Sequence, residues 1–133
     1  NHNELIEAAG GLKEGCEKVI SGGPMMGFAM YTTDTPITKT SSSILCMSKD
    51  EVSACEPTAC INCGRCVDAC PSRIIPSRLA DFAERHDEEA FLKFNGLECV
   101  ECGSCSYVCP AKRQLKQAIG SMRKTALANK KKK

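Results

Sequence analysis

Eight of the eleven cysteines fall into two groups with one spacing. The first group runs Cys60-Ile61-Asn62-Cys63-Gly64-Arg65-Cys66-Val67-Asp68-Ala69-Cys70-Pro71. The second runs Cys99-Val100-Glu101-Cys102-Gly103-Ser104-Cys105-Ser106-Tyr107-Val108-Cys109-Pro110. Both read C-x2-C-x2-C-x3-C-P. Thiolates are soft ligands, and four of them at this spacing suit the four iron corners of a cubane [4Fe–4S] cluster. Three cysteines separated by two residues let a loop wrap one side of the cube and aim backbone N–H groups at its sulfurs. The fourth falls on a turn that leads away, toward a neighbouring cluster. The spacing therefore predicts crossed ligation. Cys60, Cys63, Cys66 and Cys109 hold one cluster, and Cys99, Cys102, Cys105 and Cys70 hold the other. Pro71 and Pro110 end the turns by removing an N–H and fixing φ. Gly64 and Gly103 sit where a Cβ would crowd the cluster. Arg65 either offsets cluster charge or lies exposed.

Competing chemistries fit the pattern poorly. Zinc ribbons separate two C-x2-C knuckles by a longer insert and use no third cysteine two residues on. A disulfide framework needs neither the regular quartets nor an odd cysteine count. Cys16, Cys46 and Cys55 lie outside the quartets and read as ordinary thiols. No catalytic constellation is visible. His2 and His86 have no evident partners and read as surface residues. Clusters move single electrons, so two held by crossed ligands make a two-step wire.

The elements around the quartets follow from apolar spacing. With 133 residues there is room for one domain, or a small domain and part of another. Residues 2 to 9 read as a short helix with Leu5, Ile6, Ala8 and Ala9 on one side, stopped by Gly10-Gly11. Glu17 to Ile20 reads as a strand leading into the loop Ser21-Gly22-Gly23-Pro24-Met25-Met26-Gly27. That loop lacks a G-x-G-x-x-G or G-K-S/T pattern, and Met25 and Met26 read as packing residues. Thr32 to Thr40 suggests turn and edge-strand chemistry, and Ile44 to Met47 a short buried strand. Ser48-Lys49-Asp50-Glu51 resembles a capping box ahead of a helix.

Residues 71 to 98, between the quartets, read as two helices. Leu79, Phe82 and Ala83 mark one, and Ala90, Phe91 and Phe94 the other. Asp87 caps the second, and Asn95-Gly96 ends it. The expected fold class is α+β: a small partial β-grasp segment over 1–48, then a mainly α-helical dicluster module over 49–124. Leu115, Ile119 and Met122 line one face of a closing helix. Residues 111–133 hold nine Lys/Arg and no Asp or Glu, whereas the preceding residues carry a formal −7. Residues 125–133 read as a disordered basic tail, or as a contact for anionic lipid or an acidic partner. Nucleic acid is disfavoured because no aromatics interleave with these charges. No signal peptide and no membrane-spanning run is recognisable, which points to a reducing cytosolic setting.

One family fits the wording as well as the spacing. Gly22-Gly23-Pro24-Met25-Met26-Gly27, then Asp34-Thr35-Pro36 with Lys39-Thr40, then both quartets and the run Glu101 to Lys112, resembles the C subunit of the Rnf (Rsx) ion-translocating electron transport complex. The likeness covers roughly residues 3 to 124. It implies a C-terminal fragment that holds part of a soluble-ligand-binding β-grasp (SLBB) domain and the two-cluster domain. It implies a peripheral subunit on the cytoplasmic side of a membrane complex that couples electron flow between NADH and ferredoxin to Na⁺ or H⁺ translocation. FMN and NADH belong to a flavin domain outside this chain, so the chain alone is not expected to turn over. Expected partners are the other subunits of the complex and ferredoxin. The cobalamin-reductase family shares this architecture and is an alternative. A structural cluster-bearing interaction domain without redox turnover is another.

Overall fold

Asn1 starts the first helix by capping it both ways. Its side chain accepts from the Glu4 N–H at 2.9 Å, while Glu4 reaches back to the N-terminal amine. Helix α1 spans His2–Ala8, and Gly10 and Gly11, both at positive φ, follow its end. Only His2 and Ile6 of α1 are buried; Leu5 is half exposed. Strands β1 (Lys18–Ser21), β2 (Phe28–Ala29) and β3 (Ile44–Met47) form an antiparallel sheet in the order β2-β1-β3. The register pairs Ile20 with Ala29 and Val19 with Cys46. The Gly-rich loop closes the β1–β2 hairpin. A Cβ at Gly27 would lie 2.5 Å from the Gly23 carbonyl oxygen, so this approach requires glycine.

Several expectations for this unit need correction. His2 is buried, with Nδ1 2.9 Å from the Thr35 carbonyl oxygen and Nε2 3.5 Å from Ser21 Oγ. The Thr-rich stretch is not an edge strand. It runs alongside α1, where its carbonyls accept from the His2 and Asn3 N–H groups. Strand β3 is present but only half buried, and Cys46 on it is exposed. Met25 and Met26 are exposed rather than packed. No helix follows Ser48. Asp50 instead closes a turn by accepting from the N–H and hydroxyl of Ser53, and pairs with Lys18 of β1. The Lys18 and Ser53 hydrogen bonds bring the Asp50 carboxyl down to about 2.

The computed structural model describes residues 1–132 and divides the chain into two units, Asn1–Cys55 and a second from Glu56 onward. The division was expected near residue 48. The second unit is helical, with no strand among the described residues. Its helices are α2 (Arg65–Asp68), α3 (Pro76–Glu84), α4 (Glu88–Lys93), α5 (Ser104–Val108) and α6 (Leu115–Lys132), with a 3-10 turn at Gly96–Glu98. The two connecting helices are thus α3 and α4. Pro76 opens α3, where its missing N–H costs nothing. Asp87 caps α4 by accepting from the Ala90 N–H at 3.0 Å. Helix α6 runs on through Lys132, so the basic stretch expected to be a disordered tail is helical up to there; Lys133 lies outside the described residues.

Burial explains why these helices meet. Leu79, Phe91, Leu115 and Ile119 are almost wholly buried, each contributing about 1.5–3 kcal/mol. With Ile74, Ala80, Ala83, Cys105 and Met122 they form one core, and Cys66, Cys70, Cys99 and Cys109 pack against it. Phe82 and Phe94 pack with their rings tilted by 56° and centroids 5.0 Å apart. Gly96 is required, because a Cβ there would run into the Phe91 ring.

Candidate metal centre

The two quartets fold into the same backbone. Cys60 and Cys99 each accept a hydrogen bond at Sγ from the N–H two residues on, Asn62 and Glu101, at 3.4 Å. Asn62 and Glu101 both sit at φ 55. Gly64 (φ 78) and Gly103 (φ 82) follow and start the short helices α2 and α5. Beyond each proline, Arg73 (φ 53) and Lys112 (φ 54) turn the chain again, with N–H groups on the Cys70 and Cys109 carbonyls. Helices α3 and α6 then begin at equivalent points. A left-handed residue at each of these positions lets a short chain curl around a small object. A Cβ at Gly64 meets no protein atom within 4 Å, so the backbone conformation, rather than crowding by protein, calls for glycine there.

Two cavities result. The first is lined by Cys60, Cys63, Cys66 and Cys109. The second is lined by Cys99, Cys102, Cys105 and Cys70. Each therefore takes three cysteines from one half and one from the other. Among the described residues, no three His, Cys, Asp or Glu side chains converge closely enough to hold a single metal ion. Four thiols spread around a cavity, with backbone donors beside them, fit a multi-iron group whose corners are ligated one by one.

The thiols differ in setting. Cys60 and Cys63 are exposed, whereas Cys105 is buried and Cys99 and Cys102 are half buried. Burial pushes the Cys105 thiol up to about 11 and raises Cys99, while hydrogen bonding from Ser104 lowers Cys102. Arg65 is exposed and lines neither cavity. The guanidinium that does line one, Arg113, follows the second quartet. Its Nη2 donates to Asp81 at 2.8 Å and Glu84 at 3.1 Å on α3. Burial works against its charge, and the two carboxylates outweigh that, raising its pKa above the ordinary value. Nothing in the local sequence singles Arg113 out, because its setting depends on α3, some thirty residues earlier.

The remaining cysteines stand apart from both cavities. Cys16 Sγ lies 3.7 Å from the Lys18 carbonyl oxygen. Burial, and then the charge and hydrogen bond of Cys16, raise the Cys46 thiol. Cys55 is exposed.

Comparison with known proteins agrees with this geometry. Residues 59–113 match the family described as a 4Fe-4S dicluster domain. The chain is 42% identical over 128 residues to the C subunit of the Na⁺-translocating ferredoxin:NAD⁺ oxidoreductase complex of Acetobacterium woodii, covering 96% of this chain and 29% of that one. It is 50% identical over 117 residues to the proton-translocating counterpart of Clostridium ljungdahlii, covering 87% and 26%. Identity to the C subunit of the ion-translocating oxidoreductase complex of Methanosarcina acetivorans is 46% over 116 residues, covering 87% and 26%. The chain thus spans between a quarter and a third of the length of these relatives. Over that part, the chain is similar to the C subunits of ion-translocating oxidoreductase complexes, and it carries a dicluster domain for two [4Fe–4S] clusters.

Proposed function

We propose that this chain is the electron-carrying section of a membrane-associated ferredoxin:NAD⁺ oxidoreductase complex coupled to Na⁺ or H⁺ translocation. The observation that carries this reading is the pair of matching cavities, each lined by four cysteines drawn from both halves of the second unit. Cys60, Cys63, Cys66 and Cys109 are the ligands of one cluster, and Cys99, Cys102, Cys105 and Cys70 those of the other. When bound, each cluster supplies a one-electron couple. The protein's part is to hold the thiolates, aim N–H donors at sulfur from Asn62 and Glu101, and set one cavity beside the other. The core packed against Cys66, Cys70, Cys99 and Cys109 keeps water from one side of the sites.

The names of the relatives support the rest of the reading. The other subunits of the complex and ferredoxin are the partners, and FMN and NADH bind on the part of the subunit that this chain does not span. The first unit corresponds to part of an SLBB β-grasp domain. Among the described residues no helix is long and apolar enough to cross a membrane, and in this reading the chain sits peripherally on the cytoplasmic side.

Anaerobic iron and sulfide analysis should give about eight of each per chain for two cubanes. Dithionite reduction should then produce two paramagnetic signals. Clusters that stay silent at every accessible potential would make this a structural domain and overturn electron transfer. Crossed ligation has its own test. Cys70→Ser should disturb the cluster held by Cys99, Cys102 and Cys105 and leave the other signal intact. Selective loss of the signal belonging to Cys60, Cys63 and Cys66 refutes the crossing.

A further inference from the structure

Apart from Ile119 of the second, the lining residues of the two cavities correspond one to one through the internal repeat, so their differences stand out. Ile61 and Asn62 of the first correspond to Val100 and Glu101 of the second, and Ser77 to Lys116. On the other wall, Ala111, Arg113 and Leu115 of the first correspond to Ser72, Ile74 and Pro76 of the second. Three positions change charge: Glu101 and Lys116 bring one anion and one cation to the second cavity, while in the first a guanidinium stands where the second has a buried isoleucine.

The Arg113 side chain is mostly buried, and its polar atoms divide into two sets. Nη2 is taken by Asp81 and Glu84. Nη1 is buried with no hydrogen-bond partner. A buried guanidinium N–H without an acceptor is costly unless a group outside the protein atoms accepts from it. The first cavity is the space this residue lines, and the acceptors a [4Fe–4S] cluster presents there are sulfurs. Glu101 in the second cavity is engaged otherwise, its carboxylate bound by Arg123 Nη1 at 3.3 Å.

We propose that Arg113 Nη1 donates a hydrogen bond to a sulfur of the cluster in the first cavity and raises its reduction potential above that of the cluster in the second. This rests on the assignment of one cluster to each cavity. The physical cause is that reduction adds negative charge to the cluster. A donor aimed at sulfur stabilises the reduced form more than the oxidised one, and hydrogen bonds and solvent exposure are levers on cluster potential. The exposed Cys60 and Cys63 act in the same sense. The carboxylates of Asp81 and Glu84 position Arg113 and, two against one, more than offset its charge, so the donated N–H is what distinguishes it from a distant cation. The first cavity is then the resting place of the electron, and the second is the low-potential station.

The test is an anaerobic potentiometric titration of the loaded chain followed by electron paramagnetic resonance. Variants are Arg113→Ile, which copies the second cavity, and Arg113→Lys, which keeps the charge but not the fork. Arg113→Ile should lower the higher of the two potentials, with about a tenfold loss in the reduction equilibrium, equal to about 59 mV for one electron. The lower potential should stay in place, and Arg113→Lys should fall between. Unchanged potentials, equal movement of both, or movement of the lower one alone overturns the proposal. Loss of iron in both variants makes Arg113 a structural residue and overturns it too. Failure of the functional reading looks different, since the unsubstituted chain would then lack two reducible clusters.

Discussion

Glu101 and Asn62 occupy the same left-handed position, and they are not equally suited to it. Asparagine is enriched at positive φ; glutamate is not. Glu101 is held there by Arg123, which also donates to the Leu97 carbonyl at 3.3 Å. Its carboxylate also lies against Gly120, where a Cβ would come within 3.0 Å of it. Gly103 follows at φ 82 and is buried. An alanine there must adopt a conformation that costs about 1–2 kcal/mol. Gly103 also lines the second cavity, so Gly103→Ala should lower stability by at least that amount, read by anaerobic denaturant unfolding, and lower the iron content of the chain.

At the scale of elements, α6 and α3 supply most of the core. Ile119 is wholly buried in it. Ile119→Ala should cost about 2–5 kcal/mol, since the rigid helix pair cannot collapse onto the gap; thermal unfolding of the loaded chain checks it. These helices were legible in the sequence because Leu79, Ala83, Leu115, Ile119 and Met122 recur with helical spacing. The cap at Asp87 was legible too, as a short acidic side chain ahead of an apolar repeat. The two quartets were legible from spacing alone. What escaped depended on distant partners. His2 is buried because Thr35 and Ser21 receive its ring nitrogens. Asp50 forms a turn rather than a helix because Lys18 and Glu17 across the sheet bind its side chain and N–H. Arg113 gained its place from Asp81 and Glu84. Lys130 to Lys132 read as a tail because charge runs solvate well, yet they extend a helix whose buried face includes Ala126.

At the scale of the whole molecule, the two units answer differently to iron. The core of the second unit contains Cys105 and is continuous with four more of the quartet cysteines. Removing the clusters uncovers that side of a small core, and a core this size has little reserve. The first unit has its own sheet and holds none of the quartet cysteines. Chelation of iron should therefore abolish amide-exchange protection in α3 and α6 while protection in β1 and β3 persists. Exchange measured by mass spectrometry on loaded and stripped chain checks it, and simultaneous loss in both units would show that they fold as one. The mixed walls of the two cavities also govern biosynthesis. A ribosome that has released only the first quartet has produced three walls of one site and one wall of the other. The four cysteines of the second cavity are all present only when Cys105 emerges and those of the first only when Cys109 does, although the first quartet is made much earlier. Neither set of four can therefore be complete before the second quartet is made, and a chain terminated in the connecting helices leaves the ribosome with both sets incomplete.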